Sequence, residues 1–474
     1  MTASSNGGMF YDPDFMPFAP RAKPSLRAMR ENFLANYPQA AYREDRSVLP
    51  GFPPVTPKIN LIMSPALIEE MLVTRAGEFL RDRLTMNTLS GPINKLSLFF
   101  AEGADWKWQR RAVSAAFRRE SILAEVDTFA ACAREQIALW RRLDARTPVD
   151  VAPAMSRVTF EVILRSVLGA NAGFDREKFI AELTRALGTI GWRRVLAVLG
   201  LSTDWIPYPG YFRAAAASRY LSRATRALIE ERRASSVERK DLLQLLLSAR
   251  DPETGRGMTD PELEANLYTF LVAGHETSAV AMAWTLWLLA KDQASQERLR
   301  NEVWAVAGEE EIGPATVEKL VFTRQVLQES MRLFPPAAGF ARQPLQDTTV
   351  GPYKFLKGET IVVLVWCLHR HEKLWDEPQG FDPDRFAPEK VKARDRYAYM
   401  PFGAGPRICL GMSFAMLEMA TLLASFVREL RFSTVPGHRL AIDARFTTRP
   451  KGGMPLLIEP ICAAAQRKRT PAAA

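Results

Sequence analysis

The stretch 259–290 limits the fold more than any other. Thr259, with Glu262 three residues on and Pro261 in the first turn, reads as a capping box that starts a helix. No breaker follows until about Ala290. About 30 residues at 1.5 Å each make a rod of about 45 Å, enough to cross a domain. Between Leu267 and Ala290 the rod is apolar nearly all round, so it belongs at the centre of a core with other helices packed around it. The exception is Ala273-Gly274-His275-Glu276-Thr277-Ser278. A glycine and four polar residues inside a buried helix cost stability, in propensity and in desolvation. Such a breach marks either a kink satisfied internally or a functional site. Gly274 permits distortion, and the threonine hydroxyl can bond back to a carbonyl and open the helix. His275 stands alone, and nothing supports it as a metal ligand.

The second feature is the stretch 401–411, PFGAGPRICLG, followed at once by an Ala/Leu/Met/Phe-rich helix over 412–430. It reads as a Gly/Pro-rich loop that delivers Cys409 to a helix N-terminus. The unpaired amides and positive dipole end there favour the thiolate, the form that ligates metals. Gly405 and Gly411 let backbone approach the sulfur, and Arg407 adds a fixed cation nearby. A lone cysteine is equally compatible with a small buried hydrophobe. The spacing is what changes this. Phe402, Gly405, Arg407, Cys409 and Gly411 form the pattern F-x-x-G-x-R-x-C-x-G, which resembles the haem-binding loop of the cytochrome P-450 family.

The resemblance implies a mainly α fold with a small β region, in which haem b lies between the long central helix and the cysteine loop. Cys409 is then the axial thiolate, which favours O–O cleavage. The central break resembles the family's A-G-x-[D/E]-T-[S/T] signature. It implies that Thr277 hydrogen-bonds the oxygen and Glu276 passes protons in from solvent. On the next helix, Trp106 and Arg110 share a face one turn apart, with Asp105 as N-cap. They resemble the family's propionate-binding pair, and Arg342 and His369 resemble further propionate partners. Glu329 and Arg332, in isolation an ordinary surface pair, resemble a buried network completed by Arg385 in the loop FDPDRF. The resemblance also implies a substrate pocket lined by Leu98, Phe99, Phe270, Ala273, Ala338 and Phe340. Residues 82–103 would roof it as an apolar loop, and the turn near 452 would enter it.

Composition bounds the remainder. The 474 residues are 47% hydrophobic, ample for a sizeable core, and carry a formal charge of +10. Arginines are scattered instead of forming a run, which argues against a nucleic-acid tract. Lys107, Arg111, Arg118 and Arg119 form a candidate basic patch for an acidic electron donor. The four cysteines show no zinc or C-x-x-C spacing, which fits a reducing cytoplasm. Residues 1–55 read as an irregular arm with a short helix near Ser25 to Asn36, and 460–474 as a frayed tail. No stretch of about 18 apolar residues suggests a membrane anchor. Only 65 residues follow Cys409, with no G-x-G-x-x-G fingerprint, so a fused reductase is not expected. The whole chain thus reads as one catalytic domain. The expected protein is a soluble, bacterial-type monomer, and electrons come from a separate ferredoxin- or flavodoxin-type protein. It inserts one atom of O2 into a small hydrophobic molecule. A peroxide-driven peroxygenase and a non-catalytic haem sensor are the alternatives.

Overall fold

The computed structural model describes residues 25–49, 51, 58–169, 173–201, 203, 206–235 and 241–461. The central helix spans Asp260–Lys291, and its capping box closes in both directions: Glu262 N–H donates to the Thr259 hydroxyl, and Thr259 N–H to the Glu262 carboxylate. Helix Val151–Leu168 lies along it, and Tyr211–Ala234, Val321–Leu333 and Met412–Glu429 pack around it. The helix serves two apolar cores. Leu263, Leu267, Tyr268, Leu271 and Val272 belong to one, and the run from Ala279 to Ala290 to the other. The polar break at 273–278 falls at their junction. Gly274 is used for packing: a Cβ there would sit 2.7 Å from Ile163 Cδ1 on the neighbouring helix.

The β region is small. Strands β1 (Arg46–Leu49), β2 (Ile59–Ile62), β3 (Phe79–Leu80), β4 (Phe340–Pro344) and β5 (Thr360–Val363) form one sheet in the order β1-β2-β5-β4-β3. Only the β2–β5 pair is parallel. Near the C-terminus, β6 (Ala441–Asp443) and β7 (Arg449–Lys451) make an antiparallel pair.

Several expectations change. Residues 25–49 hold the expected short helix, as Leu26–Glu31, and add strand β1, which makes the arm more regular than its sequence suggests. Residues 1–24, 50 and 52–57 of the expected arm, and 462–474 of the tail, lie outside the described residues. The segment 82–103 contains a helix, Arg83–Leu89, because the buried Asp82 caps it by accepting from Thr85 N–H at 2.9 Å. Asp105 lies inside the first turn of helix Gly103–Ser114 and pairs with Arg256 at 3.0 Å, so it is not an N-cap. Strand β5 ends at Val363, and Val365–Leu368 is one turn of helix.

Behind the cysteine loop, Glu329 and Arg332 are both fully buried and joined by two bonds of 2.7 and 2.8 Å. Arg385 approaches Glu329 at 3.4 Å, and Asp382 N–H donates to it at 2.9 Å. The rest of the Arg332 guanidinium donates to the carbonyls of His369, Pro378 and Gly380. One side chain therefore fixes three points of an irregular meander. Glu418, on helix Met412–Glu429, is a second buried acid, whose Oε2 accepts from the Ser278 hydroxyl at 2.7 Å. Burial pushes its carboxyl up to about 8, against a smaller downward pull from Ser278.

Removing one member of the Glu329 network leaves the other charges buried and uncompensated. Glu329→Ala is expected to cost roughly 3–5 kcal/mol in urea unfolding and to lower haem content. Glu418 predicts a pH dependence. Its folded value is raised, so its contribution is complete below 4.5 and is lost as pH rises through about 8. Thermal unfolding of Glu418→Gln is expected to lose that decline across the same window.

Candidate active site

The cysteine loop is shaped by one close approach. Gly405 has φ +70°, and a Cβ there would lie 1.8 Å from the carbonyl oxygen of Leu72. Only glycine fits, and the single turn Gly405–Arg407 is thereby pressed onto the segment Glu70–Thr74. Cys409 N–H donates to Phe402 O at 2.9 Å and closes the loop. The Cys409 side chain keeps accessible surface. Burial of its surroundings pushes the thiol up, while the Gly411 N–H and the Arg110 guanidinium pull it down by less. The cation acting on the sulfur is Arg110, not Arg407. Gly411 contributes its N–H and makes no close backbone approach.

Arg407 instead turns towards helix Gly103–Ser114. It donates to Ala101 O at 2.9 Å, pairs with Glu102, and lies 4.6 Å above the Trp106 ring. Two further guanidiniums join it. Arg342 on β4 is pushed down to about 10 by burial and by Arg407. Arg81, just after β3, is pushed down to about 9 by burial, Arg342 and Arg407. Arg81 stacks 4.0 Å from the Phe99 ring, and its Nε is buried with no hydrogen-bond partner. Burial also pushes Arg110 down, and Arg110 in turn acts on Arg407. Four cations thus crowd two carboxylates, Asp82 and Glu102, and burial holds Asp82 above the usual range. Sequence reasoning missed Arg81, which belongs to no motif. Its only signal is an arginine between a short strand and an N-cap aspartate.

His369 does not belong to this cluster. The short helix Val365–Leu368 turns it into the scaffold, where it is fully buried, stacks on Tyr399 at 5.0 Å, and accepts from Met400 N–H at 2.9 Å. Burial, then Arg332 and Arg370, drive its pKa well below the usual value, so it is a neutral acceptor. His371 is also buried, with Nε2 3.2 Å from Glu44 O.

On the central helix, residues 265–290 are buried except Phe270, Ala273, Gly274 and Thr277. Their spacing i, i+3, i+4, i+7 places them on one face. That face opens an accessible stripe at the junction of the two cores. Thr277 Oγ1 donates to Ala273 O at 2.7 Å, the back-bond expected of a helix opened at this point. Glu276 points away from the stripe: its Oε1 accepts from Thr447 at 2.6 Å and from Arg449 Nε. Burial would raise this carboxyl, but Arg449 outweighs burial and holds it below the ordinary carboxylate range. His275 packs edge-on to Phe160, lies 2.7 Å from the Ser156 hydroxyl, and is pushed down to about 4 by burial. Of the pocket residues expected from sequence, Phe99, Phe270, Ala273 and Phe340 keep accessible surface. Leu98 and Ala338 are buried, held by backbone bonds from Leu98 N–H to Asn266 and from Trp366 N–H to Ala338 O. In the basic patch, Arg111 pairs with Glu253 and Arg119 with Glu318, while Lys107 and Arg118 are exposed.

A family model described as cytochrome P450 matches residues 52–457. The chain belongs to the cytochrome P450 family. It is 32% identical to cyclooctat-9-en-7-ol 5-monooxygenase of Streptomyces melanosporofaciens, over 77% of this chain and 78% of that one. It is 28% identical to cytochrome P450 4F8 of Homo sapiens, over 92% of this chain and 86% of the relative. The solved cytochrome P450DA heme domain superposes with a TM-score of 0.78 at 25% identity, covering 89% of this chain and 91% of that one. The protein is a cytochrome P450 monooxygenase, and its cofactor is haem b. The residues present fit that group. The Cys409 sulfur keeps accessible surface, and four guanidiniums against two carboxylates suit a ligand with two acidic arms. Among the described residues no helix is long and apolar enough to cross a membrane.

Arg81 is crowded by like charge until an anion joins it. Arg81→Met is therefore expected to leave the haem-free protein as stable as the parent, or more so. The same variant is expected to lose haem faster to a scavenging apoprotein, and absorbance transfer kinetics with differential scanning calorimetry check both.

Proposed function

We infer that this P450 inserts one oxygen atom from O2 into a C–H or C=C bond of an apolar organic molecule. The observation that carries this reading is the accessible stripe of Phe270, Ala273, Gly274 and Thr277 on an otherwise buried helix. Cys409 would hold the haem iron, and Trp106, Arg110, Arg342, Arg407 and Arg81 would receive its propionates. When bound, the group supplies redox chemistry and oxygen activation. The chain supplies the rest. Phe99, Phe270 and Phe340 offer apolar contact surface, which positions a substrate and excludes water. The Thr277 hydroxyl, back-bonded to Ala273 O on the stripe, would exchange that bond for one to the reacting oxygen. Glu276, the next residue back, would pass protons towards it from the hairpin side. Glu329, Arg332 and Arg385 keep the cysteine loop in register.

Electrons would come from a separate protein. Lys107 and Arg118, exposed on or just after helix Gly103–Ser114, offer cations for an acidic donor. We read the protein as working in the cytoplasm in soluble form. A peroxygenase reading is disfavoured by the intact pair Glu276 and Thr277, for which a peroxide-driven enzyme has no need.

Turnover with a ferredoxin and its reductase, under isotopically labelled O2, tests this reading. Label is expected in the organic product, and label found only in water or peroxide would overturn it. Glu276→Gln is expected to slow product formation on the order of 100-fold while haem content stays normal. Product yield per electron, measured beside the haem spectrum, separates the two effects.

A further inference from the structure

The partners of Glu276 come from a segment no sequence motif connects with it. Thr447 and Arg449 lie 171 and 173 residues further along the chain, on and just before β7. That segment is anchored on every side. Trp284, from the central helix itself, donates to Thr448 O at 2.6 Å, and Thr448 Oγ1 donates to Pro335 O at 2.9 Å. Beyond the turn, Met454 N–H donates to Asp150 at 2.8 Å. The β6–β7 hairpin is thus a rigid platform beside the helix break. Both bonds it makes to Glu276 fall on Oε1. No donor among the described residues is recorded at Oε2. Arg449 is half-buried, whereas Glu276 is nearly closed off, so the pair runs from a wetter edge to a dry interior.

We propose that Arg449 and Thr447 are positioning residues for the oxygen-side acid: they dock Glu276 through Oε1, keep it ionised in its dry site, and leave Oε2 as the oxygen that takes and returns the proton. This rests on the monooxygenase reading above and assigns the control of its proton supply to the C-terminal hairpin. The physical case is a contest. Desolvation disfavours a carboxylate here, and one adjacent guanidinium reverses the outcome. His275, the neighbour on the same helix, adds a smaller pull in the same direction, but burial pushes it down to about 4 and it bonds to Ser156 on the helix packed alongside. Helix Met412–Glu429 contributes Glu418, which is protonated and engaged with Ser278. Arg449 is the cation that β7 supplies.

The test is an infrared pH titration of the resting ferric protein, compared across Arg449→Gln, Arg449→Lys and the double variant Glu276→Gln/Arg449→Gln. The parent is expected to show Glu276 ionised throughout the neutral range. In Arg449→Gln the midpoint should rise by about 1–3 pH units, with a protonated-carboxyl band that the double variant lacks. Arg449→Lys, which keeps the charge, should restore the parent profile. In turnover, the acid limb of product yield per electron should move up by the same interval in Arg449→Gln. A folded, haem-loaded Arg449→Gln with the parent's infrared titration and pH profile would overturn the proposal. Should Arg449→Gln fail to fold, Thr447→Val reads the same midpoint through loss of one bond. A smaller upward shift supports the docking, and no shift overturns it. The titration needs no turnover, so it is decided separately from the monooxygenase reading. That reading fails if no product carries oxygen from O2.

Discussion

A buried carboxylate sets the geometry on which the cysteine side depends. Glu329 carries a full charge out of water and is tolerated because Arg332, Arg385 and the Asp382 amide surround it. Its partner Arg332 then spends its remaining donors on three meander carbonyls. Irregular backbone has no ladder of its own, and here a side chain does the work of a ladder. The loop ahead of Cys409 inherits that rigidity through Tyr399, which bonds Gln328 O and stacks on His369. The contact of Gly405 with Leu72 fixes the other end.

Two cores meeting along one helix explain why the site lies where it does. Packing is satisfied on both sides of residues 273–277 and is interrupted between them. A continuous apolar helix would have joined the cores and closed the stripe. The polar residues are not left exposed to a common solvent. Thr277 bonds within its own turn, Glu276 turns to the hairpin, His275 to the helix alongside, and Ser278 to Glu418. Each of these side chains has a specific partner, although His275 Nδ1 and Glu418 Oε1 are buried without one, and the Ala273–Thr277 face is left for chemistry.

Much of this was legible in the sequence. The capping box at Thr259 acts as its residue types dictate, since capping is local and needs no tertiary knowledge. Glu329, Arg332 and Arg385 meet because the motif spacing carries the resemblance. The failures come from tertiary placement, which no local pattern carries. His369 follows a β-rich run, but one helical turn at Val365–Leu368 rotates it into the scaffold, and no periodicity in four residues signals that. Arg81 lacks a motif, and its role emerges only when β3 and β4 bring it beside Arg342. The partnership of Glu276 with Arg449 depends on where a C-terminal hairpin docks.

The central claim is that Cys409 binds the iron of a haem lodged between its loop and the helix break. The most direct measurement is the absorption spectrum of the reduced, carbon-monoxide-treated holoprotein beside that of Cys409→Ser. The account predicts the strongly red-shifted band of thiolate-ligated haem in the parent and its loss in the variant. Its persistence in Cys409→Ser, or its absence from parent protein loaded with excess hemin, would contradict the account.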